Sequence, residues 1–143
     1  MRGPHAIKFW SRTQKCVSTS SAESELIALA KGVSELRGLQ HRAHEWTLLG
    51  KGVAVADSSA ALGFVARAGA GRLRHVKLAM LWLQEQSKAG CELGPVEFWK
   101  VAGVLNPADC LTKPLAREAL DRYLSDMGFE RRDGRADVTP AIS

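Results

Sequence analysis

Three acidic side chains in this 143-residue chain stand where an α/β layer could bring them together: Glu25, Asp57 and Asp109. A cluster of carboxylates repels itself unless it holds divalent cations, and oxygen-only donors suit Mg2+ or Mn2+. Two such ions about 3.5–4 Å apart can drive phosphodiester hydrolysis, one activating water and the other stabilising the leaving oxygen. A second group is cationic. Arg67, Arg72, Arg74, His75 and Lys77 follow one another without an intervening acid, and such a cluster can neutralise phosphates. Ordinary roles stand beside these. Glu25 can be a solvated first-turn glutamate favoured by the helix dipole, Asp57 a cap or turn residue, and the basic cluster a solvated loop.

The elements that must position these residues follow from spacing. Ser20 and Glu23 have the separation of a capping box. From there Ala22, Leu26, Leu29, Val33, Leu36, Leu39, Ala43 and Trp46 recur at steps of three and four, one apolar stripe on a helix predicted from about Ser20 to Leu48. Glu25 flanks that stripe, where partial desolvation makes a carboxylate want a cation or a proton. Gly50 and Gly52 end the helix. Before it, His5 to Arg12 reads as a strand opened by Pro4.

Val53 to Asp57 is short, apolar and partly β-branched, as expected of a strand covered on both faces of a parallel sheet. Asp57 at its end precedes Ser58 and Ser59, candidate caps of a short helix running to about Ala68. An acid at the C-terminal end of a parallel strand, just before a helix, is where α/β sheets place ligands. The basic loop follows, then a helix to about Lys88 packed by Val76, Met80, Leu81, Trp82 and Leu83. Val96 to Ala102 alternates as a second core strand. Asn106-Pro107 opens a helical turn carrying Asp109, Pro114 breaks it, and a last helix spans about Arg117 to Met127. Residues 1–128 read as one domain and 129–143 as a polar, disordered tail.

Composition bounds the class. A net charge of +5 suits an anionic partner without proving one. Cys16, Cys91 and Cys110 form no paired motif, which excludes a disulfide framework or zinc finger and fits free thiols in a reducing compartment. No apolar run approaches the roughly 18 residues of a membrane span, so no membrane partner is expected.

Four segments carry a resemblance. Ser20 to Leu29 resembles the "SSTEAEYxAL" segment of the ribonuclease H domain that closes the Pol polyprotein of copia-type retrotransposons. Ala56 to Ala61 is similar to its "CDNxSAI", Arg74-His75-Val76 with the following helix to "KHIDIRYHFIRE", and Asn106 to Leu115 to "xxLADILTKPL". They come in the family's order at about its spacing and cover most of residues 5–128. The resemblance implies a ribonuclease H-like α/β fold that cleaves the RNA strand of an RNA–DNA hybrid with two Mg2+ or Mn2+ ions. Glu25, Asp57 and Asp109 then match acidic ligands, and Glu23 a capping residue. It also implies an upstream reverse transcriptase part as partner, and residence inside the cell, in a cytoplasmic virus-like particle or the nucleus.

One departure weighs against activity. The family's domain opens with a strand bearing the "DADWAG" aspartate that bridges both ions, then a second strand. No acid precedes Glu23 here. The fold expected is therefore incomplete, lacking the first two strands of the mixed five-stranded sheet. The groups of Val53–Asp57 lose their usual neighbour, and pairing with the His5–Arg12 strand or a second chain becomes a rescue. Two functional readings follow: a hybrid nuclease fragment inactive alone, or a non-catalytic relic that binds nucleic acid through Arg67 to Lys77. A remnant without a role is a third.

Overall fold

A computed structural model describes residues 8–11, 14, 18, 20–48, 50–69 and 78–129. The protein is α/β, and it divides into two compact units. The first holds Met1 and Arg12–Asn106, the second Arg2–Ser11 and Pro107–Ser143.

In the first unit, helix α1 spans Ser21–Glu45. The Ser20 hydroxyl caps it, accepting from the Glu23 N–H at 3.2 Å, so the hydroxyl half of the capping box forms as its spacing predicts. Strand β1 is Gly52–Ala56, helix α2 Ser59–Val65, helix α3 Leu78–Gln86 and strand β2 Val96–Lys100. β1 and β2 pair in parallel, Gly52 opposite Val96 through Ala56 opposite Lys100. Parallel neighbours need a crossover, and α2 and α3 lie within it.

Leu26, Leu29 and Val33 of α1 form one buried cluster with Ala61, Phe64 and Val65 of α2, Met80 and Leu83 of α3, and Val96 of β2. Ala54, Ala56 and Phe98 pack against it from the sheet. The three helices therefore share one face of the two-stranded sheet. The other face leaves Val55 and its neighbour Trp99 52% and 55% exposed. The expectation of cover on both faces is thus corrected: a short apolar strand signals burial, but it cannot show how many layers lie over it.

Two buried polar side chains join these elements. Arg37 donates to Gln86 Oε1 at 2.7 Å, Gln40 Oε1 at 3.0 Å and Gly94 O at 2.9 Å. Gln84 bridges α3 to the chain after α2. The stripe on α1 does not stay buried to its end. Arg37 takes an inward place beyond Val33, and Trp46 is 71% exposed. A helix of 25 residues rises about 37 Å, whereas a five-residue strand spans about 16 Å. The last turns outrun the sheet.

The described residues Lys8–Ser11 carry no strand, which corrects the strand read over His5–Arg12, whose remaining residues lie outside the described ones. In the second unit, a 3-10 turn at Pro107–Leu111 precedes helix α4, Arg117–Asp126, as the Asn106-Pro107 and Pro114 signals predict. α4 buries Tyr123, and Phe9 meets Phe129 edge-on with centroids 6.3 Å apart. Among the described residues no helix is long and apolar enough to cross a membrane.

Candidate functional site

Asp57 directly follows β1. The Val101 N–H donates to Ala56 O at 3.1 Å, which carries the ladder one step past β2. The chain then turns over the strand end, so that a Cβ on Gly103 would sit 3.5 Å from Asp57 Oδ2. Ser58 caps α2, its hydroxyl accepting from the Ala61 N–H at 3.2 Å. Asp57 is therefore not the cap. Its carboxylate is half-buried and makes no hydrogen bond or ion pair with any described residue. A carboxylate held this way at the C-terminal edge of a parallel pair faces the place where α/β sheets take ligands.

Glu25 lies at the same end of the unit. Gln40 of α1 donates to Gly50 O at 3.2 Å, and Arg37 reaches Gly94 O just before β2. The C-terminal half of α1 thus sits by the strand beginnings, and the helix runs back toward the strand ends. Glu25 is fifteen residues before Gln40, about 22 Å of helix rise. Asp57 is five residues beyond Gly52, about 16 Å of strand. Both therefore project toward the C-terminal edge of the sheet. Glu25 is exposed and unpaired among the described residues. Its expected partial desolvation is corrected: the adjacent Leu26 is buried while Glu25 lies on an uncovered flank of α1.

Asp109 belongs to the second unit, within its 3-10 turn. Its Oδ2 lies 2.9 Å from Lys113 Nζ, and its backbone oxygen accepts from the Thr112 and Lys113 N–H groups. Of the basic cluster, Arg67 is described. It donates to Gly63 O at 3.0 Å and lies over the Phe64 ring. Arg72, Arg74, His75 and Lys77 lie outside the described residues.

Carboxylate oxygens are the donor type that Mg2+ or Mn2+ takes, so the donor chemistry fits a hard cation. The donor count does not reach a complete site: the described residues gather no group of three or more His, Cys, Asp or Glu that could hold a metal ion. Arg37 and Gln84, which tie together elements of the first unit, escape a reading by composition. An arginine four residues after Val33 on an apolar stripe is the one signal that marks the first of them.

The first unit thus defines an α/β layer with one helical face and a carboxylate at its strand ends. No family model, curated protein or solved structure matches the chain.

Proposed function

We propose that these residues are part of a ribonuclease H-like domain of the copia-type retrotransposon kind, supplying Glu25, Asp57 and Asp109 to a site that hydrolyses the RNA strand of RNA–DNA hybrids. The 143 residues alone are inactive in this reading. The observation that carries it is Asp57: a half-buried carboxylate without a partner among the described residues, at the C-terminal edge of a parallel strand pair. A carboxylate without a protein partner at a strand end is free to ligate a hard cation. Divalent ions bound there supply an activated water and a stabilised leaving oxygen. The chain's own residues supply oxygen ligands, and the four-segment sequence resemblance supplies the reaction.

The test is cleavage of a labelled RNA–DNA hybrid with Mg2+ and with Mn2+. The chain is assayed alone, as Asp57→Asn, and fused behind a strand bearing an aspartate. The reading expects no cleavage from the chain alone, and cleavage by the fusion that Glu25→Gln, Asp57→Asn or Asp109→Asn each abolishes. Cleavage by the chain alone that Asp57→Asn removes would refute its inactivity. Salt-sensitive hybrid binding without hydrolysis by any form would favour the non-catalytic relic instead.

A further inference from the structure

Among the described residues the sheet of the first unit has two strands, and β2 has β1 on one side only. The register settles which groups face the other way. In a strand, the N–H and C=O of one residue point to one edge and those of the next to the opposite edge. Val101 donates to Ala56 O, so Val101, Trp99 and Glu97 face β1. The backbone groups of Phe98 and Lys100 therefore face outward, and no described residue hydrogen-bonds to them. This bare edge lines an open groove of about 720 Å³, whose opposite wall is the Ser59, Leu62, Gly63 and Ala66 face of α2. A Cβ added to Gly63 would meet nothing within 4 Å.

Lys100 and Glu97 are the charged residues that line the groove, and Arg67 adjoins its lining residue Ala66. At one end the Lys100 ammonium bonds the Ser59 hydroxyl at 2.5 Å. At the other, Arg67 follows Ala66 and bonds Gly63 O. Neither cation has an acidic partner among the described residues. Glu97 does not offset them, because its carboxylate is turned to the outer sheet face, where it meets Lys51 Nζ and Trp99 Nε1.

We infer that the open edge of β2 is a strand-addition site that takes an extended acidic peptide of a partner protein. Unpaired strand edges are templates for another chain, and added strands bind through main-chain hydrogen bonds while side chains select among sequences. A peptide offers both a donor and an acceptor to each outward residue. A run of phosphates offers acceptors alone and would leave the Phe98 and Lys100 carbonyls unmet. Small side chains on the α2 wall leave room for the peptide, and the two cations select acidic residues. This inference stands whether or not the nuclease reading holds.

The test uses the full chain and two fluorescein-labelled, end-capped heptapeptides, one alternating glutamate with valine and one alternating lysine with valine. Anisotropy should show the acidic peptide binding about tenfold more tightly or better. Saturation should slow amide exchange at Phe98 and Lys100 and leave Trp99, already paired to β1, unchanged. Gly63→Leu fills the groove from a position that tolerates a side chain, and should weaken binding about tenfold. Lys100→Glu should shift preference toward the basic peptide. Equal affinity for both peptides overturns the proposal, as does absence of binding at about 1 mM. So does protection of the same amides by raised protein concentration alone, which would make the occupant a second copy. Displacement of the peptide by an RNA–DNA hybrid, with the same sensitivity to Gly63→Leu, would assign the groove to nucleic acid.

Discussion

Replacing Gln84 by leucine isolates what one buried amide contributes. The Gln84 side chain is 4% exposed. Its Nε2 donates to Phe64 O and to Gly69 O, and its Oε1 accepts from the Gly69 N–H, each at 2.9 Å. Leucine has similar volume, so no cavity term enters. The Phe64 carbonyl keeps the Arg67 N–H, which donates to it at 3.2 Å, so the bond it loses is worth about 0.5–1.5 kcal/mol. Gly69 is exposed and can rehydrate, so its two bonds are worth about 0.5–1.5 kcal/mol each. The added apolar burial offsets about 1–2 kcal/mol. The net is a loss of about 1.5 kcal/mol. For a unit the size of Arg12–Asn106, that lowers Tm by about 6–12 °C. Urea melts should show a lower midpoint with unchanged slope, and the Gly69 amide should exchange faster than in the parent. A Tm within about 2 °C of the parent would refute the reasoning, because it would mean the three bonds are replaced by water at no cost.

Other substitutions test the remaining links. Ser20→Ala and Ser58→Ala each remove a hydroxyl that accepts from an N–H in the first turn of its helix, and each should cost about 1 kcal/mol in chemical denaturation. Gly52→Ala would place a Cβ 2.9 Å from Gln40 Nε2, displacing an amide that also accepts from Arg37. It should destabilise by about 1–2 kcal/mol, and Gln40→Ala in the same chain should recover part of that loss, a coupling read from a double-mutant cycle.

The sequence makes the local signals plain and hides the tertiary ones. The Ser20 cap, the inward Leu26, Leu29 and Val33, the strands after Gly52 and Pro95, and the turn after Asn106 all rest on neighbouring residues. A window of sequence contains such signals whole. Cover on one face rather than two is different, because it depends on where α1, α2 and α3 come to rest. The inward Arg37 depends on acceptors from Gln86 and Gly94, about fifty residues away. Asp57 is legible as an acid at a strand end. That it is spared from capping depends on which of three consecutive polar residues takes that task, and Ser58 does. Glu25 shows the limit of periodicity: it lies beside the stripe and next to the buried Leu26, but whether that flank is covered depends on how the other elements pack against α1.

The crossover between the strands also sets an order of events. β1 ends at Ala56 and β2 begins at Val96, so thirty-nine residues must be looped before the two can meet. Closing a flexible loop of that length costs about 3 kcal/mol of chain entropy. The helices shorten the path when Leu29, Phe64 and Leu83 come together first, and the strand pair then closes over a partly built core. Strand pairing thus belongs to the late side of the folding barrier. Val96→Ala should chiefly speed unfolding in a chevron experiment, whereas Leu29→Ala should chiefly slow folding. The reverse pattern would place the sheet first. With the helices first, the bare edge of β2 forms only when the chain is nearly native, which shortens the time that a folding intermediate presents it to other unfolded chains.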